Sequence, residues 1–280
     1  MPPDFVGLLN TTLAGKYRVE AEVGKGATAR IYRAQDSTGR TVALKVLRPE
    51  LLVSVEADRF LREIRFASQL AHPNVARLVD SGSVEWVVYY AMELVDGPTL
   101  RERLDTTGPL AEGDAVAIAA DILSALDAAH RLGVIHRDVK PENIVLAERG
   151  AVLLDFGIAR AMQESGGARL TGTGIVVGTC EYMSPEQVKA TDELDARTDL
   201  YSLGCVLYEC LAGKPPFTHP NDSVVMQRQV TEAPVPIGTA RPGTDPILAA
   251  CVMRALAKAP GERWGSAAEM RGALGAGVGA

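Results

Sequence analysis

The first third of the chain alternates apolar and polar positions with a period of two, the pattern of half-buried β-strands. Between Lys16 and about Val95, five stretches follow it: YRVEAEV, ARIYRAQ, TVALKVL, NVARLVD and WVVYYAMELV. DSTG lies between the second and third stretches and has the composition of a hairpin turn. A helical stretch, ADRFLREIRFASQLA, interrupts the strands, and its apolar face comprises Phe60, Ile64, Ala67 and Ala71. These patterns predict a β-sheet with one main helix.

After Gly97 the apolar spacing becomes that of α-helices. The stretch LAEGDAVAIAADILSALDAAHRLG carries one apolar stripe, formed by Val116, Ala119, Ile122, Leu123 and Leu126. DLYSLGCVLYECLAG is apolar nearly all round, which is typical of a helix at the centre of a domain. The chain is therefore predicted to be α+β, with a small β-rich part at 15–95 and a larger helical part at 96–270. We expect a flexible lead-in at 1–14 and, at 271–280, a flexible tail or the start of a linker.

Composition and charge narrow the class of protein. The 280 residues are 47% hydrophobic and 23% charged, as in ordinary globular proteins. A net charge of −6 gives no reason to expect a nucleic-acid or anionic-membrane partner. The four cysteines show no CxxC spacing, which favours a reduced, cytoplasmic setting. No apolar run approaches the about 18 residues that a membrane span needs.

The stretch VIHRDVKPENIVL places a dense polar insert between two aliphatic runs. The runs, Val134-Ile135 and 144–146, are predicted as short buried strands. The insert contains His136, Arg137, Asp138, Lys140, Pro141, Glu142 and Asn143. Half-buried polar groups are costly unless something satisfies them, and a proline stiffens the loop that carries them. The insert is therefore predicted to be a pre-organised site.

Three further clusters could belong to the same site. VGKGATARI has Gly24 and Gly26 between two strands, where backbone amides can approach a phosphate; the alternative is a plain hairpin turn. VALK ends on Lys45, for which the alternative is a lysine that faces solvent. LLDFG has Asp155 after an apolar strand, and the alternative is a turn former. Each alternative is adequate alone, but the order of the clusters along the chain favours a site.

At VALK, HRDVKPEN and DFG the sequence resembles the eukaryotic-like (Hanks-type) protein kinases, and it is most similar to the bacterial serine/threonine kinases among them. The resemblance covers Tyr17 to Ala268, with the motifs in family order. It implies a bilobal kinase fold, with a small β-rich N-lobe containing one main helix and a larger α-helical C-lobe. It also implies transfer of the ATP γ-phosphate to serine or threonine hydroxyls of proteins in bacterial signalling.

The family pattern assigns roles to the polar residues of the insert and of DFG. Asp138 would orient the incoming hydroxyl and accept its proton, and Lys140 would supply positive charge to the transferring phosphate. Asp155 and Asn143 offer the oxygen ligands that Mg²⁺ prefers, with Mn²⁺ as an alternative ion. ATP and the metal are thus the implied cofactors.

The resemblance also implies the partners of the triphosphate on the β-rich side. Lys45 would hold the α- and β-phosphates, itself fixed by Glu63 on the helix. The alternative for Glu63 is a surface glutamate that pairs with Arg59, and Glu56 is a weaker rival for the same role.

The nucleotide-binding residues implied by the family motif surround the adenine and the phosphates. The phosphate loop comprises Val23, Gly24, Lys25, Gly26, Ala27, Thr28, Ala29, Arg30 and Ile31, and Ala29 departs from the family pattern by replacing the third glycine. Val23, Ile31 and Ala43 would cover the adenine ring. Met92 would close the back of the pocket, and Glu93 to Val95 would form the hinge that bonds adenine. Met92 and Val23 could equally be plain core residues.

Several residues resemble internal supports of the family fold. His136 and Phe156 match two members of a hydrophobic stack. Asp199 matches the acid that anchors the catalytic-loop backbone; the alternative is a helix N-cap, and the two roles are compatible. Glu186 and Arg263 match a buried ion pair, and the alternative is an exposed one.

The stretch between Gly157 and Pro185 resembles an activation loop, rich in Gly, Ser and Thr. We hypothesise that Thr171 and Thr173 are phosphorylated and pair with Arg137, with Arg160 as a second partner. The alternative is a merely solvated loop. Two further positions are notable in the family pattern: Thr179, which favours Ser/Thr acceptors, and Cys180, an inert small side chain or a redox switch.

Two other function classes compete with an active kinase. A pseudokinase would usually lack equivalents of Lys45, Asp138 or Asp155, and all three are present. A small-molecule phosphotransferase is disfavoured by SPEQ and by the long activation segment. The implied partners are protein substrates and a second copy of the chain for trans-autophosphorylation. The resemblance also allows a membrane tether beyond residue 280.

Overall fold

The computed structural model describes residues 5–26, 28–48, 56–67, 69–156, 158, 161, 180–191 and 194–277. They divide into two compact units. The first contains the described residues up to 71, residues 76–95, and Ile158 and Ala161. The second contains residues 72–75, 96–156 and 180–277. No helix among the described residues is both long enough and apolar enough to cross a membrane.

The first unit contains a five-stranded antiparallel sheet in the order β1-β2-β3-β5-β4. Its strands are β1 (Tyr17–Lys25), β2 (Ala29–Asp36), β3 (Thr41–Leu47), β4 (Leu78–Val84) and β5 (Val87–Glu93). Two helices accompany them, α1 (Phe5–Thr12) and α2 (Ala57–Ala67). All five predicted strands and the predicted helix are confirmed, although β4 begins four residues later than its apolar pattern does.

The two faces of this sheet have different environments. One face forms an apolar core, to which Tyr32, Ala34, Val42, Leu44 and Val46 belong. Side chains alternate along a strand, so Ile31, Ala43 and Lys45 lie on the other face. Helix α2 packs on that second face, where the Phe60 ring lies 6.2 Å from that of Tyr90. Because Tyr90 pairs with Lys45 across the ladder, Lys45 and α2 lie on the same side of the sheet.

The flexible lead-in predicted for residues 1–14 is wrong for residues 5–13. Helix α1 contributes Leu9, and the following turn Leu13, to the apolar core, and both are fully buried. The Asn10 side chain exchanges two hydrogen bonds with the Val19 backbone, donating to its carbonyl (2.9 Å) and accepting from its amide (2.7 Å). Eight residues are too few to form a stable helix alone, so the order comes from packing on the sheet, which local sequence does not reveal.

Truncating Leu9 to alanine is expected to lower the free energy of unfolding by about 2–5 kcal/mol, because it empties a fully buried site. The adjacent Leu8 is 44% exposed, so Leu8→Ala should change stability by no more than about 0.5 kcal/mol. Chemical denaturation of both variants checks this. Equal stabilities for the pair would show that α1 is not part of the folded unit.

The second unit is mainly helical. Its helices are α3 (Leu100–Thr107), α4 (Glu112–Arg131), α5 (Pro185–Val188), α6 (Arg197–Ala212), α7 (Asp222–Thr231), α8 (Ile237–Ala240), α9 (Pro246–Ala255) and α10 (Ala267–Gly277). The unit also contains a two-stranded antiparallel hairpin, formed by β6 (Ile144–Ala147) and β7 (Gly150–Leu153). Residues 198–211 of α6 are all buried, which confirms the predicted central helix.

Two predictions for the second unit are wrong. The stretch expected to be a flexible tail or the start of a linker is helical from 271 to Gly277, and α10 packs on α4 with Leu274 buried. Its Gly/Ala composition concealed this single anchoring leucine. Val134-Ile135 is irregular backbone, not a strand. The reason is that the next two amides bond to the Asp199 side chain rather than to a neighbouring strand.

Candidate active site

The polar insert ends in a one-turn 3-10 helix, Pro141–Asn143, that leads directly into β6. Pro141 occupies the first position of the turn, where its missing N–H is not needed. The Asn143 carbonyl accepts a hydrogen bond from the Leu154 amide (2.8 Å). The hairpin therefore brings Asn143 next to the segment that contains Asp155.

Three of the predicted catalytic and metal-binding side chains are joined by hydrogen bonds. Asp138 Oδ2 accepts from Lys140 Nζ (2.8 Å) and from Asn143 Nδ2 (2.9 Å). Asn143 Nδ2 also donates to the Asp138 carbonyl (2.8 Å). The Asp138 side chain is 43% exposed, against 14% for Lys140. The result is a carboxylate fixed through one oxygen yet open to an incoming group.

Asp199 anchors the backbone of this loop. Its Oδ2 accepts from the His136 amide and its Oδ1 from the Arg137 amide, both at 2.8 Å. His130 Nε2 lies 2.8 Å from Oδ2. Burial acts to raise the pKa of Asp199, but the hydrogen bonds from His130 and from the loop amide outweigh it and hold the pKa below its usual value. The predicted anchor is confirmed, and the N-cap alternative is wrong because Ala196 is the N-cap of α6.

Two residues of the site have left-handed backbone. Arg137 has φ +68° and Asp155 has φ +63°, conformations that cost on the order of 1–3 kcal/mol each outside glycine. The Asp199 bond to the Arg137 amide offsets part of this cost. Strain of this kind is common at functional sites, where the surrounding structure imposes it.

His136 connects the loop to the segment around Asp155. Its Nε2–H donates to the Leu154 carbonyl (2.7 Å), and its Nδ1 accepts from the Asp138 amide (3.2 Å). The imidazole meets the Phe156 ring edge to face, with centroids 4.6 Å apart. The predicted stack of His136 on Phe156 is confirmed.

Glu186 and Arg263 form a buried bidentate ion pair, with N–O distances of 2.7 and 2.8 Å. Arg263 is 2% exposed and also donates to the carbonyls of Ala257, Arg197 and Lys258. The Thr198 hydroxyl donates to Glu186 Oε1 (2.9 Å). The predicted buried pair is confirmed and the exposed alternative is wrong.

The first unit contains the predicted phosphate-binding lysine. Lys45 is 5% exposed, so the alternative of a solvent-facing lysine is wrong. A buried ammonium requires anionic partners. Glu63 is half-buried on α2, whereas Glu56 is exposed and precedes the helix, which favours Glu63 over its rival.

The predicted adenine-binding residues occupy one face and one end of the sheet. Ile31 and Ala43 are half-buried on the face of Lys45, and Met92 is buried opposite Ala43 in the ladder. Val23 is 56% exposed, which excludes a core role for it. The predicted hinge, Glu93 and Val95, is half-buried where β5 ends.

The predicted phosphate loop closes the hairpin of β1 and β2. Gly24 pairs with Ile31 and Lys25 with Arg30, and the Gly26 amide donates to the Ala29 carbonyl (2.9 Å). The Thr28 carbonyl accepts from the Arg48 amide (3.0 Å). The two glycines therefore do lie in a hairpin, as the alternative reading predicted. A hairpin is compatible with phosphate binding, so that role stays a prediction.

Several predicted residues lie outside the described part of the chain: Ala27, Gly157, Arg160, Thr171, Thr173 and Thr179. Cys180 lies inside it, buried and packed with Phe217 and Val225. Burial first, and then Glu181 and Asp222, raise the pKa of its thiol to about 12. A thiol that stays protonated is a poor redox nucleophile, so the structure favours the inert side chain.

Sequence reasoning did not find Arg101, which contacts the turn Pro141–Asn143 through Glu142 (3.3 Å). The same guanidinium reaches Tyr182 (2.8 Å) and Glu209 (2.7 Å). Its partners lie up to 108 positions away along the chain. A constellation of that kind leaves no local pattern in the sequence.

Known proteins resemble this chain in sequence. The protein kinase domain family matches residues 17–265. Serine/threonine-protein kinase PknB of Mycobacterium tuberculosis is 43% identical over 269 residues, which cover 94% of this chain and 43% of that protein. A probable serine/threonine-protein kinase of Streptomyces coelicolor is 42% identical over 268 residues, which cover 92% of this chain and 39% of that protein. The chain thus spans about two fifths of the length of the curated relatives it matches.

A solved structure agrees with the fold. The crystal structure of the PknI kinase domain of Mycobacterium tuberculosis, determined on a point mutant, superposes with a TM-score of 0.74 at 31% identity. The match covers 95% of this chain and 96% of that one. An antiparallel sheet with a helix, followed by a helical part, is common to both.

Proposed function

Because this chain belongs to the protein kinase family and is of the bacterial Hanks type, we propose that it transfers the γ-phosphate of ATP to serine or threonine hydroxyls of proteins. The observation that carries the proposal is the bonding of Lys140 and Asn143 to one oxygen of Asp138.

We propose residues 15–95 and 96–270 as the N-lobe and the C-lobe. Because the four cysteines are free and buried, we assign the domain to the cytoplasm.

Phosphoryl transfer depends mainly on positioning and on the placement of positive charge. Asp138 orients the acceptor hydroxyl and takes up its proton as the hydroxyl oxygen bonds to the γ-phosphorus, while the bond from that phosphorus to the β–γ bridging oxygen breaks and releases ADP. Lys140, bonded to the same carboxylate, provides positive charge for the transferring phosphate. Asp199 keeps both residues in place through the loop backbone.

The kinase family uses ATP with a divalent cation, and the donor set here suits Mg²⁺, with Mn²⁺ as an alternative. Mg²⁺ in proteins takes one or two carboxylate or carbonyl oxygens together with substrate phosphates. Asp155 and Asn143 would supply those oxygens, and the ion, when bound, would neutralise phosphate charge. Lys45 binds the α- and β-phosphates, with Glu63 as its acidic partner.

Phosphorylation of Thr171 and Thr173 is proposed to activate the domain, with Arg137 and Arg160 as cationic partners and with trans-autophosphorylation between two copies. Active protein is expected to carry phosphate on these threonines. The double substitution Thr171→Ala with Thr173→Ala should lower activity because it removes the phosphates that pair with the two arginines. Phosphopeptide mass spectrometry and rate measurements check this. Finding both threonines bare in fully active protein would contradict the proposal.

Transfer from labelled ATP to myelin basic protein tests the proposed function directly. We expect label on serine and threonine that requires a divalent cation, identified by phosphoamino-acid analysis. ATP binding without transfer would support a pseudokinase, although Lys45, Asp138 and Asp155 are all present. Label on small molecules alone would support a small-molecule phosphotransferase.

A further inference from the structure

Arg101 has no assigned role in phosphoryl transfer, yet its guanidinium connects four segments of the second unit. Nε donates to Glu142 Oε1 (3.3 Å), beside the catalytic residues, and Nη1 donates to Asp105 Oδ1 (3.1 Å). Nη2 donates to Glu209 Oε1 on α6 (2.7 Å) and to the Tyr182 hydroxyl (2.8 Å). The Glu209 side chain is only 4% exposed. The cluster therefore has a buried side and a side that reaches the catalytic loop.

Arg101 is the second residue of α3, and its backbone is held because the start of this helix is capped. Thr99 and Glu102 form a capping box, in which the Thr99 hydroxyl accepts from the Glu102 amide and the Glu102 carboxylate accepts from the Thr99 amide. Thr99 also forms a β-bridge with Val145 on β6. Since β6 follows the turn Pro141–Asn143 directly, the start of α3 is fixed next to that turn.

Glu142 is the middle residue of the turn, and Arg101 controls where its carboxylate lies. Oε1 is bonded to Arg101, and Oε2 is buried without a hydrogen-bond partner among the described residues. Without the guanidinium, Glu142 and the buried Glu209 would be like charges near one another, so Glu142 would move away. Asn143 follows Glu142 immediately, and its two bonds to Asp138 depend on the orientation of the turn.

We propose that Arg101 is a positioning residue for phosphoryl transfer: through Glu142 it holds the turn Pro141–Asn143 in the orientation that keeps Asn143 bonded to Asp138. This rests on the proposed kinase function. Displacement of a catalytic group by about 1 Å can lower a rate as much as about 100-fold. Loss of the Arg101–Glu142 bond should therefore affect both the chemical step and the binding of the metal by Asn143.

Glu142→Met is the cleanest test, because the side chain is 38% exposed and methionine keeps its length while removing the oxygen that accepts from Arg101. We expect kcat to fall about tenfold while KM for ATP stays within about twofold. Binding of a fluorescent ATP analogue, titrated with Mg²⁺, should show an apparent Mg²⁺ affinity about tenfold weaker, the lower end of the effect of groups that orient metal ligands. The melting temperature should stay near that of the wild type.

Arg101→Met provides a second route to the same bond. If the two residues act together, adding Glu142→Met to Arg101→Met should cause no further loss of kcat. Glu269→Met is the matched control, since it removes the carboxylate from another arginine pair at 3.3 Å and should leave kcat and Mg²⁺ affinity unchanged.

The outcomes separate this inference from the proposed function. If the wild type transfers no phosphate to protein, the proposed function fails. If the wild type is active but Glu142→Met keeps its kcat and Mg²⁺ affinity, or lowers only the melting temperature, Arg101 has a structural role and the positioning role is overturned.

Discussion

Replacing Asp138 by asparagine is expected to lower kcat by a factor on the order of 10²–10⁴, the usual contribution of a positioned general base. The substitution removes the charge that Lys140 contacts at 2.8 Å and leaves no basic oxygen for the acceptor proton. The asparagine has nearly the same volume, and the Asp138 side chain is 43% exposed, so little stability should be lost. Initial rates with labelled ATP and a protein acceptor measure the effect.

A control distinguishes this result from a general electrostatic one. Asp127→Asn removes a carboxylate that pairs with Arg131 on α4, and it should leave kcat unchanged. Affinity of the Asp138 variant for a fluorescent ATP analogue should remain close to that of the wild type. Equal phosphorylation by the Asp138 variant and the wild type would remove Asp138 from the mechanism.

Replacing Arg263 by methionine is expected to lower the free energy of unfolding by about 3–5 kcal/mol, because it leaves Glu186 buried without its counter-charge. The substitution also leaves three backbone carbonyls without their guanidinium donor. Arg131→Met is the control. The Arg131 side chain pairs with Asp127 but is 74% exposed, so the pair should contribute no more than about 1 kcal/mol to the free energy of unfolding. Similar losses for the two variants in chemical denaturation would show that burial does not set the strength of the pair.

The same ion pair predicts how stability depends on pH. Burial acts to raise the pKa of Glu186, but the Arg263 guanidinium and the Thr198 hydroxyl hold it below its ordinary value of 4.5. A depressed carboxyl pKa contributes stability that is fully present above pH 4.5 and is lost as the pH falls through the folded value. Glu186→Gln should therefore flatten the acid limb of the stability curve. An unchanged acid limb would mean that Glu186 does not titrate as described.

The proximity of three polar side chains in the insert could be predicted from the sequence because the residues are local. Asp138, Lys140 and Asn143 lie close together along the chain, and a rigid turn with Pro141 is enough to bring them together. The sheet strands were equally predictable, since burial on one face imposes alternation on each strand.

Features that depend on distant segments were missed. Helix α1 and the last turns of α10 have weak local patterns, and each is held by one or two buried leucines on a surface formed elsewhere. The guanidinium of Arg101 has partners from three other segments, so no spacing in the sequence could indicate that these residues meet. Val134-Ile135 has a strand-like composition, but a side chain from α6 takes the amide bonds that follow it.

A crystal structure of the chain with Mg²⁺ and a non-hydrolysable ATP analogue tests the central claim most directly. The account predicts that Asp155 and Asn143 ligate the metal, that Lys45 contacts the α- and β-phosphates, and that Asp138 faces the γ-phosphate. A nucleotide bound elsewhere, or a triphosphate that contacts none of these four side chains, would contradict it.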